Sequence, residues 1–193
     1  MKYKLTLLLV IIIFSCKKKE KAKCNLYYNK YINASFNENK DSSLFYIEKA
    51  VICNPKDKLY RNEKLKVLLF KKKYKSVLKE LDFLDKDIYY NVLKGLLYLK
   101  LDMKKEGNTI LDNEYKKVVN VRRSKEKQKF RHFYYGLLLI NYYEGKENGL
   151  KLIRENGVVY TGINELDTLK HTEKLIEENT PINVLNLIFG LNN

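Results

Sequence analysis

Only a few residue types in this chain could do chemistry. It has three cysteines, two histidines and a large excess of lysine. The thiols are Cys16, Cys24 and Cys53, and the imidazoles are His132 and His171. Neither histidine has a ligating residue three or four positions on, so no helix face presents a metal pair. HExxH, CxxC and GxSxG motifs do not occur, and no stretch gathers three glycines into a phosphate cradle. His132 lies among Phe130, Phe133, Tyr134 and Tyr135 and reads as a packed ring. Carboxylates such as Glu177 and Glu178 read as solvated groups on a polar helix face. The expectation is therefore no enzyme, no cofactor, no metal and no small-molecule substrate. What remains is thiol chemistry and the electrostatics of basic groups.

The first thiol has a distinctive setting. Lys2 and Lys4 precede an uncharged run from Leu5 to Phe14, followed by Ser15 and Cys16. Ten such residues are too few for a spanning helix, which needs about 17–25. They suit the apolar core of a secretory signal. The string Ile13-Phe14-Ser15-Cys16 resembles the lipobox of bacterial lipoproteins. That resemblance implies a signal peptide over 1–15, cleavage before Cys16, and acylation of that cysteine. An ordinary secretory signal and an uncleaved anchor are the alternatives. Residues 16–23 form a tether with Lys17, Lys18, Lys19, Lys21 and Lys23 against Glu20 alone. Beside an acyl anchor, each lysine near an anionic surface adds about 1 kcal/mol. Such a tether can supply the second signal that stable anchoring requires; a solvated linker is the other reading. By the same resemblance, Lys17 after the cysteine points to the outer membrane, facing the periplasm.

From Cys24 onward the apolar residues recur at helical spacing. Leu65, Leu68, Leu69, Val77, Leu78, Leu81 and Leu84 fall largely three and four apart, as do Leu93, Leu96, Leu97 and Leu101. Proline is absent between Pro55 and Pro181, and polar breaks at 37–41, 85–87, 144–146 and 157 punctuate the run. Helix pairs joined by short loops follow from this pattern. Ile163–Glu178 reads as a further amphipathic helix. Thr180-Pro181 opens a last one, with threonine as cap and proline at the first helical position.

The stretch from Asp41 through Ser43, Ile47, Ala50 and Pro55 resembles the second helix of a tetratricopeptide repeat, a 34-residue helix pair. Units then begin at Cys24, Lys58, Ile88 and Lys129. Gly95 and Gly136 take the small position of the third and fourth first helices, which suggests close helix contact. The offsets are 34, 30 and 41, the last absorbing an insertion around 121–128. The resemblance implies an all-α fold: a right-handed, TPR-like α-solenoid of three to four helix hairpins over 24–156, with a C-terminal helical cap over 157–193. A non-repeating helical bundle is the alternative.

The resemblance also places Cys24 at the start of one helix and Cys53 near the end of its antiparallel partner. With Cys16 acylated, these two either form a disulfide or remain reduced, apolar thiols. In the resembled family ligands lie along the first helices. Here those positions map to Tyr28 and Phe36, to Asn62, Lys66 and Phe70, to Tyr89 and Leu96, and to Phe130, Phe133 and Asn141. This mixed aromatic and basic lining would suit an extended, partly acidic peptide. Aromatics that are simply core is the other reading.

The charge is +15, with 38 Lys+Arg against 23 Asp+Glu. Bases gather over Lys56–Glu80 and Lys116–Arg131, the latter holding Arg122, Arg123, Lys125 and Arg131 as a basic patch. In an exported lipoprotein such a patch points away from nucleic acid and towards lipid headgroups, anionic polymers or an acidic protein; solvated helix faces would look the same. The expected function is a membrane-anchored scaffold that binds a protein or peptide, with the lipid bilayer as second partner through acylated Cys16. The alternative is an immunity-type lipoprotein that neutralises a toxin reaching the periplasm.

Overall fold

The computed structural model describes residues 22–124, 129–156 and 162–191. All regular structure among these residues is helical, in ten helices. The chain divides into two compact units, one ending at Leu84 and the other beginning at Asp85. That boundary falls inside the 24–156 span that the sequence resemblance assigns to one array.

The N-terminal unit holds α1 (22–36), α2 (Lys40–Cys53), α3 (Lys58–Phe70) and α4 (Tyr74–Leu81). Two of the three starts after α1 have a side-chain cap, and α4 has none. Asn39 accepts from Ser42 N at 3.0 Å and opens α2. Asp57 accepts from Leu59 N at 2.9 Å and opens α3. Such side-chain caps satisfy amides that have no partner inside the helix. The ends are set by tight turns. Glu38 takes a left-handed φ of 52° and Lys72 one of 53°. Asn39 N donates to Ala34 O and Lys73 N to Leu68 O, both at 2.9 Å, the six-to-one bond of a Schellman cap. Ile47, Ala50, Leu65, Leu68 and Val77 form the core between the helices. A disulfide joins Cys24 to Cys53, with Cα atoms 5.4 Å apart, and closes the far end of the α1–α2 hairpin.

The second unit holds α5 (Ile88–Lys100), α6 (Lys104–Ser124), α7 (Phe130–Glu144), α8 (Lys146–Asn156), α9 (Ile163–Glu178) and α10 (Pro181–Ile188). Asp87 opens α5 by accepting from Tyr89 N at 2.8 Å. Asp102, at φ 60°, repeats the left-handed turn, with Met103 N donating to Tyr98 O at 2.9 Å. Glu38, Lys72 and Asp102 thus stand 34 and 30 residues apart, the same intervals as the first unit starts read from sequence. Part of the longer third interval goes into α6, whose last turn takes in Val121 to Ser124.

Helix α7 is the hub. It packs against α5, α6, α8, α9 and α10, and four consecutive residues, Leu137 to Ile140, are fully buried. Beyond its exposed first turn, with Arg131 and His132, the middle of the helix is apolar on all sides, so its neighbours must enclose it there. Helices α9 and α10 occupy the bounds suggested by the sequence, although the Thr180 side chain makes no cap hydrogen bond. His132 is a correction: it is exposed, because α7 turns Phe133 and Tyr134 inward instead. The break at 157 lies outside the described residues. No described helix is long and apolar enough to cross a membrane.

Candidate functional site

The N-terminal unit carries an open cleft of about 370 Å³. Three elements form it: the end of α1 with its turn (Ser35, Glu38), the first turn of α2 (Lys40, Ser43), and the second half of α3 (Lys66, Val67, Phe70). The left-handed Glu38 lets α2 double back on α1, and the core contact of Leu65 and Leu68 brings α3 alongside.

The cleft mixes apolar and polar lining. Phe70 is 65% exposed and Phe36, beside Ser35, is 83% exposed. Large aromatic side chains left in water are costly unless something covers them in use. The Lys40 ammonium stands 4.2 Å from the Phe70 ring centre, a cation–π contact. Ser35 Oγ donates to Ser43 Oγ at 3.2 Å, and Ser43 Oγ donates to Asn39 O at 2.8 Å.

Lys66 bonds Glu63 at 2.7 Å, and the same carboxylate accepts from Tyr31 OH at 2.8 Å. Burial, with Glu63 beside it, pushes the Tyr31 hydroxyl well above its ordinary value. Tyr31 is therefore a neutral donor that fixes Glu63, and Glu63 fixes Lys66. An acidic ligand would share Lys66 with Glu63. At the rim Lys71 bonds Asp41 at 2.5 Å, and that bond holds the Asp41 carboxyl below its ordinary value.

The structure brings together Lys66 and Phe70 of the sequence-derived lining; Phe36 is not part of the lining but is the exposed chain neighbour of Ser35. Tyr28 instead stacks on Tyr60 at 5.0 Å and is half-buried, and Asn62 is half-buried on α3. Sequence reasoning missed Ser35, Glu38, Lys40, Ser43 and Val67 as lining. Glu38, Lys40 and Ser43 come from the turn and the second helix, whereas the resemblance directs attention to the first helix of each pair; Ser35 and Val67 lie on first helices, outside the residues mapped from the resemblance.

The second unit treats the corresponding positions differently. Leu96, Phe133 and Asn141 are buried in its core. Phe130 stacks on Tyr134 at 5.9 Å. Tyr89 stacks on Phe189 at 5.2 Å, and Tyr135 meets the same ring at 5.6 Å. The segment after α10 thus lies over the aromatic face of α5 and α7. Arg131 reaches Asp87 at 3.5 Å and stands over the Tyr89 ring. Arg122 and Arg123 lie in the last turn of α6, their side chains outside the described residues, as are Lys125 and Cys16.

Much of the first basic cluster is internally paired. Glu80, buried, bonds Arg61 at 2.5 Å and Lys64 at 2.9 Å. Such a pair fixes the α3–α4 contact more than it offers charge to a partner. No three His, Cys, Asp or Glu side chains converge on a metal-sized point among the described residues. No protein-family model, curated protein or solved structure matches the chain.

Proposed function

We propose that this protein is a membrane-anchored envelope lipoprotein whose N-terminal helical unit holds a partly acidic protein or peptide segment. The cleft carries this reading: Lys40, Lys66 and two serine hydroxyls line it together with Glu38, Val67 and an exposed phenylalanine, around a volume that fits a few side chains. An extended segment with a carboxylate and a neighbouring apolar residue would satisfy both sides at once. The turn spacing of 34 and 30 residues supports a TPR-like repeat, and with it a solenoid whose first helices present ligand-facing residues. The anchor rests on the Ile13–Cys16 string and the lysines that follow it. The expected address is the outer membrane, facing the periplasm.

The test is co-purification from membranes with the native chain and with Lys66→Glu and Phe70→Ala. A partner retained by the native chain and lost by both variants supports the reading. A partner held equally by all three, or none at all, counts against it. The immunity reading differs in its partner, a toxin encoded beside this gene, which the same capture would identify.

A further inference from the structure

The two ends of the N-terminal unit are chemically unlike. The cleft and Phe36 lie at the end with the turns at Glu38 and Lys72. The opposite end gathers the start of α1, the end of α2, the start of α3 and the end of α4. Its bonds fix that grouping: the Cys24–Cys53 disulfide, Tyr60 OH donating to Asn25 Oδ1 at 2.9 Å, and Arg61 Nε donating to Pro55 O at 2.6 Å. The Arg61 guanidinium also stands 4.1 Å from the Phe83 ring centre, which brings in the segment after α4.

Four large apolar side chains project into solvent at this end. They are Leu26, Ile52, Leu59 and Phe83, with Ile52 72% exposed. Lys23, Lys56 and Lys58 are exposed among them. Asp57, the acid between two of these lysines, is turned inward to cap α3.

We propose that this disulfide-bearing end rests on an anionic lipid surface. Apolar side chains beside ammonium groups, with Asp82 the exposed acid next to Phe83, match the chemistry of a bilayer interface, where the former enter the acyl boundary and the latter meet phosphates. Position agrees with chemistry. The chain enters the unit at this end, and eight residues separate Cys24 from Cys16, a span of at most about 29 Å. An anchor at Cys16 therefore keeps this end near the surface. The cleft lies a helix length away, about 20 Å for the 13 residues of α3, on the side free to meet a partner. The inference rests on the anchored reading above, but its test does not require acylation.

The experiment is hydroxyl-radical footprinting of the full chain. It compares vesicles of mixed phosphatidylglycerol and phosphatidylcholine, vesicles of phosphatidylcholine alone, and no vesicles. The expected result is about threefold slower oxidation of Leu26, Ile52, Leu59 and Phe83 on the anionic vesicles, with Phe36 and Phe70 unchanged. High salt, or Ile52→Glu with Leu59→Glu in a chain that melts as the native one does, should abolish that protection. Equal oxidation of the two ends on anionic vesicles would overturn the proposal. So would protection at Phe36 instead, or protection that appears without vesicles as protein concentration rises, which would mark a second copy as the occupant. Failure of the anchor itself would show separately, as an unmodified N-terminus by mass.

Discussion

The Phe189 ring lies parallel to Tyr89, with centres 5.2 Å apart and planes 16° off. The stack ties the last turn of the chain to the first turn of α5. It also covers aromatic rings of α5 and α7, whereas Phe36 and Phe70 of the N-terminal unit are exposed. Phe189 is almost fully buried. Removing its ring leaves a cavity and strips cover from Tyr89 and Tyr135. Phe189→Ala should cost the second unit about 3 kcal/mol, measured by denaturant unfolding. Limited proteolysis should then cut within α10 first. An unchanged midpoint would show that α10 is not part of the cooperative core.

Helices α5 and α6 cross at two glycines. A Cβ on Gly107 would fall 2.8 Å from Gly95 O and 2.7 Å from Leu99 Cδ2. Gly→Ala inside a helix ordinarily gains about 1 kcal/mol. Here the backbone carbonyl cannot move without separating the helices. Gly107→Ala should therefore destabilise by about 1–3 kcal/mol, read as a lower thermal midpoint. A gain in stability would mean the crossing is looser than it looks.

The disulfide spans 29 residues. On the chain-entropy model that closure contributes about 3–4 kcal/mol. Reduction, or Cys53→Ser, should weaken amide protection throughout 22–84 and leave 85–191 unaffected in hydrogen exchange. Uniform loss across both units would show that they unfold as one.

Tyrosine ionisation sets an alkaline limit. Burial pushes the Tyr31, Tyr135 and Tyr143 hydroxyls up, and Glu63 and Asp112 push Tyr31 and Tyr143 further. The folded values lie above the unfolded value near 10. The folded state therefore keeps protons that the unfolded state gives up. Their stabilising contribution is whole below about pH 10 and is lost as pH climbs through the folded values. Tyrosinate absorbance for part of the sixteen tyrosines should appear late, together with loss of helical ellipticity. Independent titration of all of them near pH 10, with helices intact, would contradict these burials.

The helical fold class and the bounds of α9 and the start of α10 were legible because apolar spacing, polar breaks and Thr180-Pro181 all act locally. Gly95 was legible for the same reason: a glycine inside a strong helix pattern needs a close neighbour to explain it. Its partner Gly107 went unread, since it lies twelve residues on and only the fold brings them together. The site was half legible. Lys66 and Phe70 follow from their place on a first helix. Lys40 and Ser43 required knowing where the turn at Glu38 sends α2, and a non-glycine residue with positive φ leaves little mark in sequence. Asn141 was read as groove-facing. Instead α7 is enclosed, and the Asn141 amide is buried without a partner. Which helix becomes the hub depends on how all its neighbours pack, and no local pattern states that.

The central claim is that the cleft end of the N-terminal unit holds a specific partner. A photo-crosslinking amino acid in place of Phe36, in the intact cell envelope, tests it most directly. One discrete adduct is expected, lost when Lys66→Glu is added and kept when the exposed Lys174 of α9 is changed to Glu. No adduct, or an adduct indifferent to Lys66, would contradict it.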